Sequence, residues 1–200
     1  MENNKKRRRG EELQQAIYAA TLEILENEGY DAVTFANVAK KAHTSRSVLY
    51  NQWKSPFLLL FRAGRDQVIR NGGRPLSALE FSLDSTLRED LILLGERFIE
   101  NGKRYPKNFL FAYYSTRVQH PEYLDELTDM QISTNLRIMK EILANALSRG
   151  EITHLPDEQL MLFPIEYFRY YIMNNPEKLD RKFIETFVDG VCLPVYMKKS

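Results

Sequence analysis

Between Thr34 and Trp53 the chain reads TFANVAKKAHTSRSVLYNQW, and hydrogen-bonding side chains recur through it at short intervals. Thr34, Thr44, Ser45, Arg46, Ser47 and Tyr50 lie in this segment, and Lys54 follows at once. Hydroxyls, phenols and ammonium groups are ordinary partners of phosphate oxygens, and a guanidinium can bond the edge of guanine through two donors. The chemistry on offer is therefore recognition of a polyanion and its bases. Catalytic patterns are missing: the 200 residues contain no HExxH, no G-x-S-x-G, no P-loop and no Gly-rich dinucleotide turn. His43, His120 and His154 show no metal-ligand spacing. The one cysteine, Cys192, sits on an apolar helical stripe, where packing is the expected role. No metal, no cofactor and no enzymatic activity are expected.

Such side chains need a rigid platform. Thr34 is placed to cap a helix over 35–41, and Ala42, His43 and Thr44 form a turn. Ser45 can cap a second helix to about Gln52 that turns Val48 and Leu49 inward. Two short helices about a tight turn make a helix-turn-helix, whose second helix enters the major groove of DNA. A helix from Glu11 to about Glu28 precedes them, with Leu13, Ala16, Ile17, Ala20, Ile24 and Leu25 on one face and Gly29 as its stop. Ser55-Pro56 starts a fourth helix that runs to about Ile69, and Asn71-Gly72-Gly73 ends it.

Charge follows the same division. Residues 1–54 carry nine Lys/Arg against seven Asp/Glu, and the remainder nineteen against twenty. Between 29 and 54 the only acid is Asp31, set against Lys40, Lys41, Arg46 and Lys54. Five cations, Lys5 to Arg9, form a basic arm at the start, either a DNA contact or an idle tail. No apolar stretch reaches the ~18 residues of a membrane span, and no secretory leader is recognisable. With a single cysteine, a cytoplasmic, membrane-free protein is expected.

Beyond residue 75 the pattern is helical throughout, without strand alternation or repeats. Helices are expected over 87–101, from Pro106 through Tyr114, from Pro121 to about Leu147, from Asp157 to Asn174, and from about Leu179 to Val195. The fold class is all-α, with about nine helices. The expected division is a basic arm (1–10), a three-helix DNA-binding domain (11–54), a connecting helix and linker (55–74), and a helical effector-binding and dimerisation domain (75–200).

The last two helices carry apolar or aromatic residues on more than one side, and a second copy would cover them. Phe168, Ile172, Ile184, Phe187, Val188 and Val191 are the expected dimer contacts. Aromatics cluster in the body, and Tyr113, Arg117, Tyr167 and Tyr171 are the candidate walls and polar contacts of a small-molecule cavity near Pro164.

The N-terminal segment resembles the tetracycline-repressor-like (TetR/AcrR) family over Ile17 to about Leu60. The likeness is carried by Gly29-Tyr30, Thr34, Val38-Ala39, Ala42, Ser45, Leu49-Tyr50, Trp53 and Ser55. The resemblance implies that Arg46 and Ser47 approach base edges and that Thr44, Ser45 and Tyr50 lie on or near the phosphate backbone. Thr34 would stand at the start of the supporting helix, and Lys54 just past the recognition helix. It also implies a dimeric, helical ligand-binding body. The chain departs from the family pattern at His43 and Ser47, where glycines are usual, and at Pro56, where lysine is frequent. The expected function is a homodimeric repressor on a palindromic operator in double-stranded DNA, released by a small, largely apolar or aromatic effector. The alternative is a dimeric DNA-binding regulator whose body is a scaffold without a ligand.

Overall fold

The computed structural model describes residues 10–106 and 108–197, the side chain of residue 126 excepted. Its helices are α1 (Glu11–Glu28), α2 (Phe35–Lys41), α3 (Arg46–Gln52), α4 (Pro56–Arg70), α5 (Leu87–Arg104), α6 (Phe109–Gln119), α7 (Asp125–Ser148), α8 (Glu158–Asn174), α9 (Arg181–Phe187) and α10 (Leu193–Tyr196). A π-helical turn, Val188–Cys192, joins α9 to α10, so the described residues form nine helical rods and no strand. The all-α expectation agrees with this.

The chain separates into two compact units, and the division is not at residues 54 and 74. Among the described residues, the first holds those up to Gln67 together with those of Tyr105–Asp125; the second holds Val68–Arg104 and those from Glu126 onward. Helix α6, expected in the body, thus belongs to the first unit. Its attachments are aromatic. Gly64 on α4 leaves room for the Phe109 ring, which would stand 2.7 Å from a Cβ built there. Phe57 and Phe61 of α4 meet Tyr113 and Phe109 of α6 at ring-centre separations of 6.1 and 6.3 Å. Tyr30 bonds Thr116, and because the Thr116 hydroxyl already donates to the Ala112 carbonyl, the phenol is the donor. Burial is the main reason the Tyr30 phenol titrates above its ordinary range. The remaining core of this unit is Ile17, Ile24, Leu25, Val38, Leu49, Leu59 and Leu60, all essentially sealed from solvent.

In the second unit α5 lies against α8 and α9. Two glycines seven residues apart make that approach possible. A Cβ on Gly95 would stand 2.9 Å from Ile184 and 3.0 Å from Phe168, and one on Gly102 would stand 2.5 Å from Ile172. This accounts for a difference from expectation at the dimer residues. Phe168, Ile184, Phe187 and Val188 are enclosed in their own unit, Ile172 is half-buried, and Val191 is exposed. A side chain already filling a neighbour's cleft has little area left for a second copy.

The final rod also differs from the continuous helix expected over 179–195. Pro194 has no N–H, and its ring would crowd the carbonyl four residues earlier; the widened turn Val188–Cys192 accommodates it. Likewise Pro121 opens a single 3₁₀ turn, Pro121–Tyr123, and the long helix begins only at Asp125. The expected basic arm, residues 5–9, lies outside the described residues.

Candidate nucleic-acid interface

Helix α2 starts where Thr34 takes extended backbone angles and its hydroxyl accepts the Asn37 N–H at 3.2 Å. It ends in a left-handed residue. His43 has φ 54°, the Thr44 N–H returns to the Ala39 carbonyl at 2.9 Å, and the chain is redirected into α3. This is the position where the family pattern places glycine, and histidine occupies it at a conformational cost. The Leu58 N–H donates to the Ser55 hydroxyl oxygen at 3.2 Å, so Ser55-Pro56 begins α4 as expected. Ser45 departs from expectation. It stands at the N-cap of α3 with extended angles, but its hydroxyl pairs with Ser47 Oγ at 2.9 Å instead of with a helix amide.

Helix α3 is held from behind by Leu49, fully enclosed, and by Val48, half-buried. Trp53 closes its end and lies 6.2 Å, ring centre to ring centre, from Tyr18 of α1. Tyr50 keeps 66% of its surface exposed while its ring meets Phe35 edge-on at 4.8 Å. That contact steadies the ring while most of the side chain stays in solvent.

The seven residues expected to face DNA come together on one stretch of the first unit. Thr34, Ser45, Arg46, Ser47, Tyr50 and Lys54 are exposed, and Thr44 is half-buried in the turn. Arg46 has no ion pair within the described residues, whereas Lys41 on α2 is tied to Glu23 at 2.7 Å. Two exposed amides of the same helix, Asn51 and Gln52, were outside the expected set. Helical spacing carried the signal, since Asn51 stands four residues after Ser47.

The effector candidates are not brought together within either unit. Tyr113 and Arg117 lie on α6 in the first, Tyr167 and Tyr171 on α8 in the second. Tyr113 packs on Phe57 and on Tyr114, the latter at 5.2 Å. Tyr167 stacks on Phe187 at 3.9 Å and stands 4.9 Å from Tyr171. Burial first, and then the hydrogen bond with Tyr171, pushes the Tyr167 phenol up to about 12. Among the described residues no group of acids, histidines and cysteines could hold a metal ion, and no helix is long and apolar enough to cross a membrane.

Comparison with known proteins agrees with this geometry. Residues 17–55 match the model of the family described as bacterial regulatory proteins, tetR family. An uncharacterized HTH-type transcriptional regulator of Mycobacterium bovis is 28% identical over 181 residues, 89% of this chain and 85% of that protein. The DNA-binding transcriptional repressor TetR of Mycobacteroides abscessus is 26% identical over 193 residues, 92% of this chain and 94% of that protein. Among solved structures, a bacterial regulatory protein in the tetR family from Rhodococcus RHA1 shares the fold. Its TM-score is 0.59 at 17% identity, over 96% of this chain and 100% of that one.

Proposed function

We propose that this chain, which belongs to the tetR family of DNA-binding transcriptional regulators and is not an enzyme, acts in the cytoplasm as a homodimeric repressor of a palindromic operator. The observation that carries the DNA-binding mode is the exposed Arg46, without a side-chain partner among the described residues, on a short helix sealed from behind by Leu49. Arg46 bonds guanine O6 and N7 from the major groove, and Ser47 approaches the neighbouring edge. Thr34, Thr44, Ser45, Tyr50 and Lys54 hold phosphates and fix the register.

A second copy doubles the reader. Its contacts are the apolar side chains that α8 and the last rod leave in solvent, Phe163, Tyr170, Val191 and Val195, in place of the enclosed residues first expected. Two recognition helices about 34–36 Å apart, or a multiple of that, then meet successive major-groove faces. A small, largely apolar or aromatic effector that prefers another arrangement of the dimer releases the operator. A 100-fold release needs about 2.7 kcal/mol of differential affinity. Each unit carries candidate contacts of its own, Tyr113 and Arg117 on α6 in the first and Tyr167 and Tyr171 on α8 in the second.

The stacking of Tyr167 on Phe187 favours a second reading, a scaffold body that binds no effector, because rings packed on one another leave less surface for a ligand. A thermal-shift screen of apolar and aromatic compounds separates the two. The first reading expects at least one compound that both raises the melting temperature and weakens DNA binding. Selection of duplexes from a random pool, combined with sedimentation, tests the repressor reading itself. A palindromic consensus bound by a dimer is expected; a monomer without sequence preference would end the proposal.

A further inference from the structure

Resting on that reading, the surface of α3 yields a more specific assignment. An α-helix turns about 100° per residue, so Arg46, Tyr50, Ser47 and Asn51 fall in that order across an arc of roughly 140°. All four are exposed, and Leu49 marks the opposite, enclosed side. The middle of the arc is already engaged: the Tyr50 ring leans on Phe35, and the Ser47 hydroxyl pairs with Ser45. The two flanks are not. Neither Arg46 nor Asn51 has a side-chain hydrogen bond or ion pair within the described residues. An amide side chain offers one acceptor and two donors, a combination that matches adenine N7 and N6 in the major groove.

The spacing adds geometry. Five residues of helix advance about 7.5 Å, which is about two base-pair steps of a duplex rising about 3.4 Å per step. We infer that Asn51 is a second base-reading residue, which takes an adenine about two base pairs from the guanine taken by Arg46 in each half-site. Arginine at one flank and asparagine at the other read different bases, so the pair distinguishes half-sites that either residue alone would confuse.

The test is selection from a random duplex pool with the full-length wild type, Arg46→Ala, Asn51→Ala and Asn51→Asp, followed by titration of each protein on the selected duplex and its single-base changes. In the wild-type consensus a guanine and an adenine about two positions apart are expected. Asn51→Ala should lower affinity for that duplex about tenfold and make the four bases equivalent at the adenine position, leaving the guanine preference intact. Asn51→Asp, which accepts but cannot donate, should move the preference from adenine toward cytosine. Arg46→Ala should erase the guanine preference and keep the adenine. An unchanged consensus with both Asn51 variants would overturn the assignment of Asn51 while leaving the repressor reading standing. Uniform weakening on every duplex, with a shallower salt dependence, would make Asn51 a phosphate contact and also overturn it. A wild type that selects no consensus would bring down the regulator reading and this inference together.

Discussion

Two arginines in this chain live under opposite constraints. Arg46 stands in solvent at the start of α3 without an ion pair among the described residues. Arg149, at the end of α7, is largely enclosed and bonded to Asp90 at 3.3 Å and to Glu151 at 2.5 Å. Glu151 also accepts the Leu87 amide at 2.9 Å and Ser85 donates to Asp90 at 2.6 Å, so the cluster fastens the start of α5 to the turn after α7. The same side chain is a structural fastener where two of its nitrogens, Nε and Nη2, are bonded internally and a recognition group where they are left open. What separates them is burial and partners, and residue type carries neither.

Removing Arg149 should have the largest effect. Asp90 is only 2% exposed, and burial already outweighs its hydrogen bonds and holds its pKa above the ordinary carboxylate value. Without the guanidinium, a buried carboxylate loses its cation, and Arg149→Ala is expected to destabilise the fold by about 3–5 kcal/mol. Urea unfolding measures this. A loss below about 1 kcal/mol would mean the cluster is solvated and the contrast with Arg46 illusory.

Arg46→Ala should do the reverse. Operator affinity falls by about 1–3 kcal/mol, while unfolding stability stays within about 0.5 kcal/mol of wild type. Fluorescence anisotropy on the selected duplex and a parallel urea titration give both numbers. Equal losses in the two assays would erase the distinction between fastener and reader.

Much of the reader was legible in the sequence and much of the body was not. The caps Thr34 and Ser55, the stop at Gly29, the left-handed His43 and the inward Leu49 are local, and local chemistry appears in local residue order. The membership of α6 was hidden, because it depends on Phe109 meeting Gly64 and on Thr116 meeting Tyr30, contacts made across 45 and 86 positions. The burial of the expected dimer residues was hidden for a similar reason. The apolar stripe of α8 and the last rod was visible, but Gly95 and Gly102, spaced seven apart on α5, decide which part of it is enclosed. The spacing of Asn51 from Ser47 was legible, but its exposure and its lack of a side-chain partner among the described residues, on which the proposal for it rests, were not.

Tyr30→Phe probes a fastener inside the reading unit itself. The phenol donates to Thr116, whose own proton goes to Ala112, so the substitution removes one buried hydrogen bond and should cost about 1 kcal/mol. It should also flatten part of the alkaline loss of stability. The folded phenol holds its proton above the ordinary value of 10, so the unfolded chain ionises first and stability declines as pH rises past about 10. Unfolding curves at pH 8 and pH 10.5 compare the two proteins. An identical pH response would detach Tyr30 from the α6 contact.

His43→Gly is expected to have the smallest effect, and its sign is opposite to the rest. At φ 54° a histidine occupies backbone space that glycine enters freely, and its side chain has no partner within the described residues. If that conformation serves only to redirect the chain from α2 into α3, glycine should stabilise the fold by about 0.5–1 kcal/mol and leave operator affinity unchanged. A gain in stability accompanied by a loss of DNA binding would place the imidazole among the contacts, beside Arg46 and opposed to Arg149. A loss of stability would mean that the histidine is held by an interaction that backbone geometry does not reveal.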